Sequence, residues 1–167
     1  MGEDLTKSDV EKIQKEIEYR KLVVRKDAIE AVKEARAQGD LSENFEYYAA
    51  KRDKNQNESR IRYLERMLKN ATVIDDSSKD DEMGLNNTAE VFFEEDPETD
   101  TFRLVTSIRG DVLNNMISIE SPLGKAILGH REGDRIFVEV APGNGYSIVL
   151  KKIIKTSDDS NDQIRKF

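Results

Sequence analysis

Apolar and small residues recur at helical spacing over the first part of the chain. Between residues 8 and 38 they fall mostly three or four positions apart, the period of one face of an α-helix. The stripe is narrow, as in a coiled coil, and Arg20 fills one of its positions. Thr6 and Ser8 are good N-cap residues, and Gly39 fits a C-terminal cap. The stripe consists of Val10, Ile13, Ile17, Val24, Ala28, Ala31 and Ala35.

A second helical pattern starts near residues 40–44 and runs to about Asn70. It has a second apolar row at Ile61, Leu64 and Leu68, beside a main stripe of mixed residues. Because the connection is very short, we expect the two helices to form an antiparallel hairpin. Near the bend the main stripe is poor in large aliphatic residues, which suits either insertion into a partner or an exposed rod end. Its members are Phe45, Tyr48, Ala49, Gln56, Tyr63 and Met67.

The pattern changes from helix to strand after residue 87. Short runs rich in Val, Ile and Phe predict β-strands, and Pro- and Gly-containing segments between them predict turns. Ser121 and Pro122 predict the cap and first residue of a short helix that Gly129 ends. The predicted strands are residues 89–93, 102–106, 116–119, 135–140 and 146–154.

These patterns predict an α+β fold in two domains. A long antiparallel helical coiled coil occupies residues 1–74, and a small antiparallel sheet domain with one short helix occupies residues 88–155. Residues 75–87 are polar and acidic, which predicts a linker or an exposed loop. Residues 156–167 lack a pattern, which predicts a disordered tail.

The amino-acid composition excludes several classes of function. The 167 residues are 37% hydrophobic and 37% charged, which argues against one large core. Without cysteine there are no disulfides, no thiolate metal sites and no cysteine nucleophile. No apolar run is long enough to span a membrane and the first 20 residues are charged throughout, so we expect a cytoplasmic protein without a signal peptide.

Charge is distributed unevenly along the chain. Residues 1–74 carry a net charge of +1 and residues 75–167 a net charge of −8. Tight binding to nucleic acid of any sequence needs an excess of cationic side chains that this chain lacks. We therefore expect a protein partner rather than naked DNA or RNA.

The bend between the helices, residues 39–46, carries the most informative chemistry. Asp40 and Glu43 are spaced as in a capping box, in which each side chain accepts a hydrogen bond from a backbone amide. Alternatively, the two carboxylates supply part of a Mg²⁺ coordination sphere that a partner completes, since Mg²⁺ in proteins usually binds one or two carboxylates and keeps several waters. A metal held in this way can activate water for attack on a phosphodiester.

Two motifs carry a family resemblance. Gly-Asp-Leu-Ser-Glu-Asn at 39–44, with Glu-Ala-Arg at 34–36 before it, closely resembles the GreA/GreB transcript cleavage factors of bacteria. Ser118 to Gly129, with Ser-Pro-Leu-Gly-Lys-Ala at its centre, resembles the signature of that family's C-terminal domain. The chain departs from the family pattern between residues 106 and 114, where an expected Glu-Ala-Asp run is absent.

The resemblance implies a fold and a mechanism. The sheet domain is expected to be FKBP-like and to dock at the rim of the secondary channel of bacterial RNA polymerase, while the coiled coil enters the channel. Asp40 and Glu43 then help to hold a second Mg²⁺ in the polymerase active site, beside the 3′ end of the nascent RNA. The polymerase cleaves its own backtracked RNA, so the chain is expected to be neither an enzyme nor a tight metal binder, and to be a monomer.

Other positions have an alternative in ordinary structure. Arg36 and Lys51 match family residues that face the backtracked RNA, but surface charges on a helix would look the same. Ser42 and Asn44 either support the tip or cap locally. Glu120, Ser121 and Pro122 match the docking loop, although Ser121 and Pro122 also suit a helix start.

Two other functions would fit the same fold. A relative that occupies the same channel and inhibits cleavage would share the fold; retention of both Asp40 and Glu43 favours stimulation. A prolyl isomerase or chaperone activity would follow from the FKBP-like fold, but fold alone does not carry function. The strand segments also lack a dense set of aromatic residues for a proline pocket.

Overall fold

In a computed structural model of the protein, residues 2–39 and 44–166 are described. They separate into two compact units, one comprising residues 10–71 with the first residues of the chain, the other residues 4–9 with 72–166. The helices are α1 (Lys7–Tyr19), α2 (Arg25–Ala37), α3 (Phe45–Asn70) and α4 (Pro122–Ile127). The strands are β1 (Asp4–Leu5), β2 (Thr72–Val73), β3 (Thr88–Phe93), β4 (Glu98–Val105), β5 (Met116–Ser118), β6 (Arg135–Ala141) and β7 (Asn144–Ile154).

The first predicted helix forms, but one turn of it is a π-helix. Arg20–Val24 connects α1 to α2 in this wider geometry, and the amide of Arg25 donates to the Arg20 carbonyl. Asn57 of α3 also donates to that carbonyl, with an N–O distance of 3.3 Å. A π-bulge shifts the phase of the residues that follow it. Beyond it, Val32 is half-buried where Ala31 was expected, and Ala31 is exposed.

The main stripe predicted for α3 is wrong at its N-terminal end. Phe45 is 84% exposed and Tyr48 is 52% exposed. The predicted second row is the true seam, because Ile61 and Leu64 are buried. Lys54 and Asn57 continue this seam toward the bend, and their polarity disguised it in the sequence. The seam repeats in alternating steps of three and four, as in a coiled coil, through Tyr47, Ala50, Lys54, Asn57, Ile61, Leu64 and Leu68.

Charged hydrogen bonds join the helices where apolar contacts are few. The Glu16 carboxylate accepts from Arg20 Nε at 2.7 Å and from Arg60 Nε at 2.8 Å. One turn nearer the bend, both carboxylate oxygens of Glu58 accept from Arg25, at 2.8 and 2.9 Å. Two parallel hydrogen bonds fix direction as well as distance, so these pairs set the register of α3 against the first helix.

The second unit is built on a five-stranded sheet of order β5-β4-β3-β7-β6. The predicted strands and the short helix all form. One pair departs from the predicted antiparallel sheet, because β4 and β5 run parallel and the sheet is therefore mixed. A parallel pair needs a crossover connection, which residues 106–115 supply with two short 3₁₀ turns. The core is formed by Met83, Leu85, Ala89, Val91, Leu104, Ile119, Leu123, Ile127, Ile136, Val138, Ile148 and Leu150.

The segment before β3 differs from the predicted linker. Residues 83–87 are all buried, and Met83 and Leu85 belong to the core of the sheet domain. The ammonium group of Lys155 lies 2.7–2.9 Å from four oxygens of residues 78–87. The end of this segment is therefore part of the folded sheet domain, although its first residues are mostly exposed.

The tail predicted to be disordered also makes specific contacts. Asp162 accepts from Arg103 at 2.7 Å and from Arg109 at 2.8 Å. The Arg109 side chain is fully buried and also donates to Asp9 at 2.6 Å and to Asn86 at 2.8 Å. A buried guanidinium needs such partners to offset its lost hydration. Residues from both chain ends thus neutralise an arginine in the segment that departs from the family pattern.

The Glu16 pairs predict a pH-dependent stability. Burial raises the pKa of the Glu16 carboxyl, but hydrogen bonds from Arg60 and Arg20 outweigh this and hold the pKa below its ordinary value. A lowered carboxyl pKa stabilises the fold above the unfolded-state pKa, and the contribution is lost as pH falls through the folded-state pKa. We expect Glu16→Gln to lower the free energy of unfolding by about 1–2 kcal/mol at pH 7.

That difference should shrink toward zero as pH falls below the ordinary glutamate pKa, about 4.3. Urea unfolding followed by circular dichroism of the helices at pH 7 and at about pH 3 would measure it. Glu18→Gln, at an exposed position of the same helix, is the matched control. An equal loss of stability at both pH values would contradict the assignment.

Candidate functional site

Helix α2 ends at Ala37, two residues before the bend motif at residues 39–46. The amide of Gln38, the C-terminal cap, donates to the Ala35 carbonyl at 3.3 Å. Gly39 follows with a φ of +121°, a conformation that residues with a Cβ atom rarely adopt. The predicted glycine at the helix end is confirmed, and the chain leaves the helix at the residue where the acidic motif starts.

The next helix does not begin where the capping-box interpretation placed it. Helix α3 starts at Phe45, and Asn44 is its N-cap. The Asn44 side-chain oxygen accepts from the Tyr47 amide at 3.0 Å, which is the usual geometry of an asparagine cap. The prediction that Asp40 caps this helix is therefore wrong. Asp40, Ser42 and Glu43 themselves lie outside the described residues.

Asn44 also ties the two helix ends together. Its side-chain Nδ2 donates to the carbonyl of Ala35, in the last turn of α2, at 2.6 Å. One amide side chain thus satisfies a donor at the start of α3 and gives the Ala35 carbonyl, at the end of α2, a second donor besides the Gln38 amide. Asn44 therefore links the end of α2 to the start of α3, and this link fixes the distance between the two helix ends.

A basic and aromatic cluster lies beside the closed bend. The Arg36 guanidinium lies 5.7 Å from the centre of the Tyr47 ring. A hydrogen bond from Arg36 lowers the pKa of the Tyr47 hydroxyl, and the charge of Lys51 lowers it further. Arg36 and Lys51 are both exposed. The structure therefore brings the two predicted RNA-facing cations near one tyrosine, although it does not test their role.

The predicted docking loop is a tight serine-held turn at the start of α4. Ser121 caps the helix by accepting from the Gly124 amide at 3.1 Å, and its hydroxyl donates to the Ser118 carbonyl at 2.6 Å. A Cβ atom on Gly124 would lie 1.9 Å from that carbonyl oxygen, so only glycine fits there. Glu120 and Pro122 are exposed on either side of Ser121. The same turn therefore starts helix α4 and exposes Glu120 and Pro122 at the surface.

Sequence reasoning missed the double role of Asn44 and the seam position of Tyr47. The coiled-coil period could have found Tyr47, because counting back from Leu64 in alternating threes and fours reaches it. Asn44 left no comparable signal, since its second contact joins two helix ends nine residues apart.

The described part of the chain contains neither a metal-binding cluster nor a helix that could span a membrane. Residues 2–39 and 44–166 contain no group of three or more His, Cys, Asp or Glu side chains arranged to hold a metal ion. Within the same residues, every helix is too short or too polar to cross a membrane.

Comparison with known families defines the class of this protein. Residues 4–73 match the family described as "Transcription elongation factor, N-terminal". Residues 78–155 match "Transcription elongation factor, GreA/GreB, C-term". The two matches cover both units in the expected order, so the chain belongs to the GreA/GreB family of transcription elongation factors.

Individual relatives agree with this assignment. The chain is 47% identical to transcription elongation factor GreA of Caldanaerobacter subterraneus over 83% of its length and 89% of that protein's. It is 46% identical to the GreA of Thermoanaerobacter pseudethanolicus, over 90% of its length and 94% of that protein's. A solved structure, the GreA factor homolog 1 (Gfh1) of Thermus thermophilus, is 28% identical and covers 92% of this chain and 99% of that one, with a TM-score of 0.44.

The family supports stimulation of transcript cleavage and binding to RNA polymerase, and it does not favour the inhibitory alternative. The predicted fold class, a helical hairpin followed by a sheet domain with one short helix, is confirmed apart from the parallel strand pair.

The geometry of Asn44 predicts a local loss of stability when it is removed. Asn44→Ala deletes the cap of α3 and the bond to Ala35, and we expect it to lower the free energy of unfolding by about 1–2 kcal/mol. Hydrogen exchange of the Tyr47 amide should accelerate with it, because that amide loses its acceptor. Asn55→Ala, an exposed site on the same helix, is the control. Unchanged exchange at Tyr47 would refute the capping role.

Proposed function

We propose that the bend at residues 39–46 is the segment of this elongation factor that acts at the RNA polymerase active site. It delivers Asp40 and Glu43 to the active site of RNA polymerase, where they help to hold a second Mg²⁺. The polymerase contributes the remaining ligands and performs the hydrolysis of its backtracked RNA. This chain contributes two carboxylates and their placement, so it is not itself the catalyst.

One observation carries the proposal. The cap of α3 is supplied by Asn44, so helix capping no longer accounts for two carboxylates in the preceding four residues. The capping-box interpretation was the structural alternative for these two acids, and it fails when another residue caps the helix. A pair of carboxylates is instead the usual protein share of a Mg²⁺ site whose other positions hold water and phosphate oxygens.

The surroundings of the bend fit the same role. The hydrogen bond from Asn44 to Ala35 holds the ends of the two helices together next to the acidic motif. Precise placement matters because a metal-activated water must lie in line with the scissile bond. Arg36 and Lys51 supply positive charge next to the site, which suits the phosphates of an RNA 3′ end.

Docking is proposed to come from the sheet domain. Glu120 and Pro122 project from a turn that Ser118 and Ser121 hold rigid. A rigid loop costs little ordering entropy when it binds. We propose that this loop contacts the rim of the polymerase secondary channel, while the helical hairpin enters the channel, and that the protein acts as a monomer in the cytoplasm.

The decisive variant removes charge and keeps shape. Asp40→Asn with Glu43→Gln should reduce stimulated cleavage of backtracked RNA by at least about 100-fold, the scale of losing a catalytic group. Binding to polymerase should persist, since the docking loop is untouched. Cleavage is measured as release of short 3′ fragments from halted complexes, and binding by competition with labelled wild-type factor.

Glu46→Gln is the matched control for that variant. Glu46 is an exposed acid in the first turn of α3, three residues beyond Glu43. The Glu46→Gln variant should stimulate cleavage as wild type does. The proposal would be contradicted if the double variant stimulated cleavage normally, or if Glu46→Gln lost stimulation to the same extent as the double variant.

A further inference from the structure

Two aromatic side chains at the start of α3 face solvent without a folding role. Phe45 is 84% exposed and Tyr48 is 52% exposed. They are three positions apart on the helix, so their side chains are neighbours on its surface. Soluble proteins expose single apolar residues freely, but adjacent exposed aromatic rings beside a functional segment point to a binding surface.

The helical hairpin does not need either ring. The seam of the coiled coil is occupied by Tyr47, which packs 5.7 Å from Arg36, and the helix cap is supplied by Asn44. Phe45 therefore neither fills the seam nor satisfies a helix end. Its exposure has to be explained by what approaches this end of the hairpin.

The charges around the rings select the kind of partner. On α3, Lys51 and Arg52 are exposed within two helical turns of the rings, and so are the acids Glu46 and Asp53. Arg36 is exposed at the end of α2, beside Tyr47. The Tyr47 and Tyr48 rings lie 5.4 Å apart at an angle of 56°, which extends the aromatic surface toward the cations. Aromatic faces next to cationic side chains are the usual means of binding single-stranded nucleic acid.

We propose that Phe45 and Tyr48 form a stacking surface for the unpaired bases of the displaced RNA 3′ end, with Arg36 and Lys51 at the adjoining phosphates. The proposal rests on the proposed function, which brings this end of the hairpin to that RNA. The ligand class is single-stranded RNA, because a base must be unpaired to stack on a side chain. Stacking would hold the displaced strand in place while the polymerase cleaves it.

The test uses backtracked polymerase complexes whose extruded 3′ nucleotide carries adenine or is abasic. Stimulation is expressed as the cleavage rate with factor divided by the rate with polymerase alone, which removes the polymerase's own base preference. We expect wild type to stimulate the adenine complex about fivefold more than the abasic one, which corresponds to the low end of the cost of losing one stacked base. Phe45→Leu should remove this difference, and Phe45→Trp should restore it.

Three further measurements separate the outcomes. Thermal unfolding of Phe45→Leu should match wild type, since the side chain is exposed. Phe137→Leu, which changes an aromatic residue of the sheet domain that is 54% exposed, should keep the base dependence. Affinity for polymerase without RNA should not change in Phe45→Leu. A loss of that affinity would assign Phe45 to a protein contact and overturn the proposal.

Failure of the inference differs from failure of the proposed function. The stacking surface is refuted if wild type stimulates cleavage equally on the adenine and abasic complexes, or if Phe45→Leu keeps the base dependence. In either case the proposed role of the bend carboxylates is unaffected. If wild type stimulates no cleavage at all, the proposed function fails first, and with it the premise that RNA reaches these rings.

Discussion

The helical hairpin depends on directional polar contacts across a seam that has few apolar side chains. Toward the bend, the seam of α3 holds Asn57, Lys54 and Ala50 where a stable coiled coil would carry leucine. Hydrophobic contact alone cannot fix a register there, because it is non-directional. Glu16 with Arg60, Arg25 with Glu58, and finally Asn44 with Ala35 fix it instead. These contacts carry the order of the hairpin out to its bend.

This arrangement suits the proposed entry of the hairpin into a narrow, solvated channel. A strongly apolar seam would stabilise the hairpin but would also favour association with other apolar surfaces. Charged pairs replace part of such a seam in this hairpin. The aromatic residues Phe45 and Tyr48 are exposed near the bend, next to the acidic motif. The second unit has a conventional apolar core.

The sequence predicted the large features because each had a strong local signal. Glycine and proline marked the ends of helices, and strand runs were rich in β-branched residues. It misplaced the α3 stripe because aromatic residues at 45, 48 and 63 mimic a helical face, while polar residues interrupt the real one. It misplaced the helix cap because Asp40 and Asn44 both suit that role locally. It missed the buried Arg109 because its partners, Asp9 and Asp162, are distant along the chain.

The central claim is that the bend carboxylates share a Mg²⁺ with the polymerase, and the Mg²⁺ dependence of cleavage tests it most directly. Carboxylates that complete a metal site must raise its affinity for the metal. The Mg²⁺ concentration that gives half-maximal cleavage of backtracked RNA should therefore be lower with wild-type factor than with polymerase alone. With Asp40→Asn and Glu43→Gln together it should return to the value of polymerase alone. A factor that raises the cleavage rate while leaving this concentration unchanged would contradict the account.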